Sequence, residues 1–280
     1  MERKQTGPEP AVVAGGSVLV LGLAVALFAP TLAPYDPALP SGPPLLPPGP
    51  AHPLGTNDIG QDILSEWLWG ARVSLSVAML VALLSTGLAW GVGIAAGLWR
   101  KAEGPLVAAA DLLLALPSIP LYLLVVALVG PSQRNVVLTL GLLSWPAFAR
   151  IVRAQVLALR GAPYVEAARA LGATPLRVAL LHVLPGTLGL LPAKLVLIVR
   201  FAIFTEATLA FLGLGDPAAK SWGTMLGWAF NYPLLFARGA WAWWVLPPAA
   251  SIVLVVLATS WLATSLETAS ERTAHTWRSA

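Results

Sequence analysis

The sequence predicts an all-α integral membrane protein with six transmembrane helices. Hydrophobic residues make up 57% of the 280 residues and charged residues only 11%, whereas a soluble domain normally carries about a quarter charged residues. The charges are scarce because long windows lack Lys, Arg, Asp and Glu altogether, and a helix needs about 20 apolar residues to cross the hydrocarbon. These uncharged windows are 11–33, 73–99, 112–133, 135–149, 207–215 and 239–266.

Four of the windows are long enough to span a membrane as they stand, and two need their neighbours. The 135–149 window becomes a span if its helix continues past Arg150, with the arginines at the membrane surface. The fifth span lies near 190–215 and has to tolerate Lys194, Arg200 and Glu206. The first window could be a signal peptide, but its length and the poor cleavage site that follows it favour a retained helix.

The distribution of basic residues predicts that both termini face the cytoplasm, because Lys and Arg favour that side of a membrane. This N-in, C-in orientation places more basic residues inside than outside. The inner residues are Arg3, Lys4, Arg100, Lys101, Arg153, Arg160, Arg169, Arg177, Arg272 and Arg278. The outer residues are Arg72, Arg134, Lys220 and Arg238.

A proline-rich segment follows the first predicted helix. It has nine prolines from Pro34 to Pro53, which favours extended polyproline geometry and predicts an outer linker. Behind it, Asp58, Asp62 and Glu66 have the spacing of one helix face. We interpret these three as a helix cap and a solvated face, with an acidic lip for a docking partner or a cationic solute as the alternative.

Several residues within the spans are unusual for lipid-facing helices. Pro117 and Pro120 predict a kink in the third span, since each proline removes a backbone hydrogen bond. Arg200 and Glu206 are six residues apart, so they point about 120° away from each other on a helix and need separate partners. They are candidates for a hydrophilic solute pathway or for buried ion pairs with another helix or subunit.

The sequence shows no strong pattern for catalysis or for nucleic-acid binding. It contains no HExxH, no GxSxG and no cysteine, and its three histidines are dispersed. It also has no GxxxxGK[ST] loop for ATP phosphates and no basic stripe with interleaved aromatic residues. We therefore expect neither a metal nor a cofactor in this chain, and uphill transport would need an ion gradient or another subunit.

The stretch 164–186, YVEAARALGATPLRVALLHVLPG, is polar and interrupted although it lies between two spans. Gly172 stands where a first short helix would end in a left-handed turn, and Thr174 with Pro175 would cap a second. Val165, Ala168 and Leu171 predict an apolar stripe on the first helix, and Glu166 could pair with Arg169. Leu176, Leu180 and Leu184 predict the apolar face of the second helix, which should end at Pro185. The pattern favours an interaction surface over a flexible connector.

This stretch resembles the EAA loop of the membrane permeases of binding-protein-dependent ABC importers. The matching residues are Glu166, Ala167, Ala168, Gly172, Leu184 and Pro185. His182 replaces the usual Ile, as is typical of the peptide and nickel branch. Further segments, from HPLGTNDIGQDILSEWLWGARVSL through DLLLALPSIPL, EATLAFLGLG and SWGTML, resemble the C-type permease subunit of dipeptide and oligopeptide importers.

The resemblance implies a five-helix, MetI-like permease core. The domain boundaries expected from it are a cytoplasmic tail and first helix at 1–33, an outer linker and amphipathic segment at 34–71, the core at 72–266 with the EAA loop at 159–189, and a cytoplasmic tail at 267–280. The location implied is the bacterial or archaeal cytoplasmic membrane.

The resemblance also implies partners. The six matching EAA residues would dock onto a cytoplasmic ATPase, and two such ATP-binding subunits would hold the ATP and Mg that this chain lacks. A second homologous permease would complete the pore, and an extracytoplasmic binding protein would deliver the solute; membrane lipid surrounds the chain and no nucleic acid is expected.

The chain departs from the family pattern at four positions, which leaves the cargo open. Asn57 and Gln61 replace an Asp and an Arg, Glu66 stands where a basic residue is common, and Arg200 stands where residues are small or apolar. Di- or oligopeptides are the expected cargo, and nickel, an oligosaccharide or another small solute is the alternative. An ion-driven carrier or channel working alone is argued against by the EAA loop, and an intramembrane enzyme lacks credible catalytic groups.

Overall fold

The computed structural model describes residues 10–278, with side chains from residue 12 to residue 266. Arg3, Lys4, Arg272 and Arg278, which contribute to the predicted orientation, lie outside the described side chains. Between residues 10 and 278 the only β feature is an isolated bridge between Thr56 and Asp62. The helices are α1 (Pro10–Leu32), α2 (Ile63–Leu98), α3 (Arg100–Ala115), α4 (Ser118–Val129), α5 (Gln133–Leu143), α6 (Pro146–Arg160), α7 (Pro163–Ala170), α8 (Pro175–Val178), α9 (Leu184–Thr187), α10 (Leu191–Phe211), α11 (Trp222–Asn231), α12 (Trp241–Trp244) and α13 (Leu246–Arg278).

Five helical runs of the described chain are long and apolar enough to span a membrane, and a sixth span results if a bent helix pair counts as one. The single runs are Val12–Leu32, Ile63–Leu98, Gln133–Arg160, Pro175–Phe211 and Trp241–Leu266. The bent pair is α3 with α4, whose axes differ by 93°. An all-α membrane protein is thereby confirmed.

The third predicted span is broken rather than kinked. Leu116 and Pro117 are extended, so α3 ends before them and α4 begins after them. The expectation of a single kinked helix over 112–133 is therefore wrong, because proline restricts the residue before it to extended geometry. The first half of the pair also starts as early as Arg100 and includes the charged Glu103 and Asp111.

Helix α2 is the centre of the bundle and packs against α1, α5, α6 and α10. Its contact with α6 is close because two of its glycines face that helix. A Cβ atom on Gly93 would lie 2.7 Å from Cβ of Val152, and one on Gly97 would lie 2.4 Å from Cγ1 of Val156. These two glycines therefore let α2 and α6 approach closely, whereas Gly87 and Gly91 face open space.

The buried apolar side chains form two clusters. The larger cluster joins α2 to α10, α11, α12 and α13 around residues such as Ile63, Ile203 and Trp244. The smaller cluster joins the second half of α2 to α6 and to the 159–189 loop around Trp90, Val152 and others. The loop thus shares a core with two spans.

The proline-rich segment is folded back on itself, and we call residues 33–62 the proline-rich cap. Thr56 ties it together, since its Oγ1 donates to Pro43 O at 2.7 Å and accepts from Leu46 N at 2.9 Å. Gly60 has φ +82°, and a Cβ there would lie 2.2 Å from Gly42 O, so only glycine fits. The expectation of an extended linker is wrong because these contacts bend the chain at several points.

The three acidic residues after the prolines do not share a solvated helix face. Asp58 lies in a loop before α2, whereas Asp62 is the N-cap of α2 and accepts from Ser65 N at 2.8 Å. Asp62 and Glu66 are both fully buried, and Asp62 Oδ1 lies 2.9 Å from His52 Nδ1. The predicted helix cap is confirmed for Asp62, and the predicted solvated face is wrong because the proline-rich cap covers it.

Candidate functional site

The turn at Gly172 is built by backbone hydrogen bonds that require a left-handed residue. Helix α7 ends at Ala170, and Gly172 follows with φ +85°. Gly172 N donates to Arg169 O at 2.9 Å, and Ala173 N donates to Ala168 O at 3.0 Å. This pair of bonds is a Schellman motif, and it confirms the predicted C-terminal turn at Gly172.

The second helix of the loop starts as predicted but does not end as predicted. Thr174 caps it by accepting from Arg177 N at 3.3 Å, and Pro175 is its first residue. A π-helical segment at Ala179–Val183 follows, and Pro185 lies in the first turn of the next α-helical piece. The helical run continues to Phe211, so the expected end at Pro185 is wrong. The widened π turn is the kind of local adjustment that accommodates the missing proline N–H.

The residues that anchor the loop in the core are mainly valines: the predicted Val165, and Val178 and Val183 in place of the predicted Leu176 and Leu180. Val165, Val178 and Val183 are fully buried in the smaller core, and burial of each stabilises the fold by about 1.5–3 kcal/mol. Leu171, in contrast, is 89% exposed. The predicted stripes are wrong at Leu171, Leu176 and Leu180, because the two helices turn their valine sides to the core.

The 159–189 loop therefore presents a mixed apolar and charged surface, which we call the loop surface. Its members are the exposed side chains around the Gly172 turn: Tyr164, Glu166, Arg169, Leu171, Leu176, Arg177 and Leu180. Glu166 and Arg169 form no salt bridge among the described side chains, so the predicted pairing is wrong.

The six residues that match the EAA pattern divide into two groups in space. Glu166, Ala167 and Gly172 are exposed, and Ala168 is half-buried behind them. The other two lie farther along the helical run: Leu184 packs against the smaller core, and Pro185 is exposed.

Charged contacts brace the helix that leads into the loop. Arg150 and Arg153 of α6 form salt bridges with Asp111 and Glu103 of α3. Arg160, the last residue of α6, donates from Nη1 to Gly97 O at 3.1 Å. Helix α6 is thereby fixed to α2 and α3 directly before the loop begins.

The two charged residues of the fifth span have separate environments, as their spacing predicts. Glu206 is buried, and Ser74 Oγ donates to its Oε2 at 3.1 Å. Arg200 is half-buried and donates from Nη1 to Ser260 Oγ at 3.2 Å. Neither forms a salt bridge with another described side chain, so the ion-pair interpretation finds no partner within residues 12–266.

Three residues that we expected to depart from the family pattern meet Lys220 in one buried group, which we call the polar network; they are Asn57, Gln61 and Glu66. Lys220 Nζ donates to Gln61 Oε1 and to Glu66 Oε1, each at 2.7 Å. Asn57 Nδ2 donates to the same two acceptors at 2.9 and 3.2 Å. The Lys220 ammonium also lies 4.2 Å from the Trp228 ring centroid.

Sequence reasoning did not connect Lys220 with Glu66. The opposite charges were visible, but 154 residues separate them.

No group of three His, Asp or Glu side chains within residues 12–266 could hold a metal ion.

The chain is similar to known membrane components of solute importers. The family model described as binding-protein-dependent transport system inner membrane component matches residues 87–272. A putative peptide transport system permease protein of Brucella suis is 39% identical over 209 residues, which cover 74% of this chain and 69% of the relative.

Two further relatives have more specific names. A di/tripeptide transport system permease protein of Pseudomonas aeruginosa is 38% identical over 208 residues, covering 73% of this chain and 67% of that protein. A glutathione transport system permease protein of Pectobacterium atrosepticum is 35% identical over 221 residues, covering 78% and 72%. The family match, the apolar spans and these identities agree. The chain is a multi-pass protein of the cytoplasmic membrane and belongs to the binding-protein-dependent transport system inner membrane components, the permease subunits of ABC importers.

Proposed function

We propose that this chain is one of two membrane subunits of an ABC importer that takes up di- or oligopeptides. An extracytoplasmic binding protein delivers the peptide, and two separate ATP-binding subunits supply the energy. The names of the relatives from Brucella suis and Pseudomonas aeruginosa support peptide cargo. The lack of a phosphate-binding GxxxxGK[ST] loop in the chain supports ATP hydrolysis on another subunit.

The exposed loop surface is the observation that carries this proposal. Leu171, Leu176 and Leu180 are each more than half exposed in a loop whose valines are buried. Burial of one such leucine in a groove of the ATPase would contribute about 1.5–3 kcal/mol to the free energy of docking. The unpaired charges of Glu166, Arg169 and Arg177 would then select the correct partner and its orientation.

The same loop has the stiffness that energy coupling requires. On one side it continues from α6, which is braced to α2 and α3, and on the other it continues without a break into α10. A displacement of the docked turn would therefore move the fifth span rather than bend the loop. We assign docking to Glu166, Ala167, Ala168, Gly172, Leu184 and Pro185, with the loop in the cytoplasm and both termini inside. Coupling would then be a change between inward-facing and outward-facing states, and the binding of both ATP and peptide would shift the equilibrium between these states.

Stimulated ATP hydrolysis tests the cargo. The complex of this chain with its partner permease, both ATP-binding subunits and the binding protein is reconstituted in vesicles. The dipeptide Leu-Leu should raise hydrolysis several-fold, whereas Ni²⁺ and maltotriose at equal concentration should leave it at the basal rate. Stimulation by Ni²⁺ or maltotriose in place of the dipeptide would overturn the peptide assignment and leave the importer assignment intact.

A further inference from the structure

A cavity of about 410 Å³ lies where the broken third span meets α5, α6 and α10. Its size is within the range of roughly 300–1,000 Å³ that is usual for small-molecule sites. Leucine and phenylalanine side chains, such as Leu197 and Phe201, form most of its wall. The polar residues in the wall are Ser118, Tyr122, Ser144 and Arg200, and no acidic side chain lines it.

Arg200 gives this cavity a positive charge that the described chain does not neutralise. The guanidinium has five N–H donors, and the structure uses one of them, toward the neutral Ser260 hydroxyl. A charge at the centre of a membrane span costs roughly 3 kcal/mol or more, so such residues face a partner or a hydrophilic cavity. None of the described carboxylates pairs with Arg200, so its guanidinium has no counter-ion within residues 12–266.

Tyr122 offers a second, independent group in the same wall. The residue is only 3% exposed, and its ring packs edge-on against Phe201 with centroids 6.0 Å apart. Its hydroxyl has no hydrogen-bond partner among the described residues and is not one of the unpartnered atoms shut off from solvent, so it is open to the cavity. By contrast, the Ser144 hydroxyl is already engaged, at 2.6 Å from Leu140 O.

The start of α4 adds to the positive character of the cavity. Ser118 is the first residue of this 12-residue helix, and no side chain caps its N-terminus. The first N–H groups of a helix have no partner within it and carry partial positive charge. A guanidinium, an unpartnered phenol and a helix N-terminus surrounded by apolar walls together suit a carboxylate that is attached to apolar groups.

We propose that this cavity is a transit site that binds the C-terminal carboxylate of a short peptide, with Arg200 as its counter-ion and the Tyr122 hydroxyl as a hydrogen-bond donor. The proposal rests on the peptide-importer function proposed above and adds a chemical requirement to it. The leucine and phenylalanine walls would contact the side chains of the peptide.

The charge of the cavity can be measured with a single introduced thiol, because the chain has no cysteine. Ala147 is exposed and lines the cavity, so Ala147→Cys reports on it. Each rate is divided by the rate of the same reagent with free 2-mercaptoethanol, because the cationic reagent is intrinsically faster with a thiolate. In the assembled importer, the normalised rate of negatively charged sulfonatoethyl methanethiosulfonate should be about tenfold higher than that of the positively charged trimethylammonium-ethyl reagent. Adding Arg200→Met should bring the two rates together, whereas Arg200→Lys should keep the preference for the anion. Equal rates with Arg200 present, or no labelling by either reagent, would overturn the proposal.

Protection experiments identify the source of the carboxylate. In phosphatidylcholine vesicles, Leu-Leu should slow the labelling of Ala147→Cys several-fold, and its C-terminal amide should not. Tyr122→Phe, which removes only the hydroxyl, should weaken this protection without changing the labelling preference. Protection by anionic phosphatidylglycerol without peptide would identify a lipid site and overturn the proposal.

A carboxylate of the partner permease is the other competing counter-ion. In that case Arg200→Met would leave the labelling preference of Ala147→Cys unchanged in the assembled importer, but it would change that preference in this chain alone. This result would also overturn the transit site. The labelling needs no ATP hydrolysis, so its outcome is separate from the test of the proposed function. If Leu-Leu stimulates ATP hydrolysis but Ala147→Cys lacks the expected labelling preference, the transit site is overturned and the proposed importer function stands.

Discussion

The proline-rich cap and the 159–189 loop both connect membrane spans, but they treat polar side chains in opposite ways. At the end of the cap and the start of α2, Asn57, Gln61 and Glu66 are buried, and Lys220 of the same chain donates to Gln61 and Glu66. In the loop, charged side chains such as Glu166 are exposed and have no salt bridge among the described residues. Most polar groups of the first region are bonded within the chain, with Glu66 Oε2 and Ser41 Oγ as exceptions among the described residues, whereas the second region presents its polar and apolar groups to solvent.

This difference separates two kinds of unusual polar residue. The polar residues around the cap bond one another, and the charge of Glu66 is paired with that of Lys220. Arg200 has no such compensation among the described residues, and for this reason it points to a ligand. An unusual charged residue thus carries functional information only after its partners have been located.

The largest expected difference between the two regions is in the cost of removing a glutamate. Glu66→Ala leaves the Lys220 ammonium largely buried without its counter-ion, which should cost about 3 kcal/mol. The thermal midpoint of the solubilised protein should fall by roughly 6–12 °C for a chain of this size. Glu166→Ala is the matched control, because an exposed residue without a partner should change stability by less than about 0.5 kcal/mol. Equal destabilisation by both substitutions would contradict the comparison.

The next largest effect concerns the backbone of the loop. Gly172→Ala forces an alanine into φ +85°, which should cost about 1–2 kcal/mol and displace α8 from α7. Gly161→Ala is a control in the same loop, since Gly161 has φ −92° and equally open surroundings. Thermal midpoints and peptide uptake should fall for the first variant and stay near wild type for the second. If both variants take up peptide normally, the rigid turn is not needed for coupling.

A smaller effect is expected at the start of α8. Thr174→Ala removes the cap on Arg177 N, at a cost of about 1 kcal/mol, whereas Thr174→Ser keeps the hydroxyl. Amide hydrogen exchange over 174–178 should become faster in the alanine variant only. Unchanged exchange in both would mean that packing of Val178, rather than the cap, stabilises this helix start.

Local chemistry made part of this structure predictable. Gly172, Thr174 and Pro175 set the turn through their own backbone preferences, so their sequence order was enough to predict it. Uncharged windows likewise predicted the spans, since bilayer thickness sets their length. The broken third span was only partly predicted, because Pro117 indicates a break but not its 93° angle.

Features that depend on distant contacts were not predictable. Nothing local distinguishes Leu171 in solvent from Val165 in the core, because the packing of α6 and α2 decides which side of α7 is covered. The salt bridge between Glu66 and Lys220 joins residues 154 positions apart. Arg200 and Glu206 were identified as unusual, but their surroundings come from α13 and α2, and only the fold brings these together.

Cross-linking from Leu171 is the most direct test of the central claim that the loop surface docks an ATP-binding subunit. In the cysteine-free chain, Leu171→Cys can be treated with a short thiol-to-amine cross-linker in the assembled importer. Leu39→Cys serves as the control, because Leu39 is 60% exposed in the proline-rich cap. We predict that Leu171→Cys is cross-linked to the ATP-binding subunit and that Leu39→Cys is not. Cross-linking of that subunit to Leu39→Cys, or its absence from Leu171→Cys in an importer that hydrolyses ATP, would contradict the account.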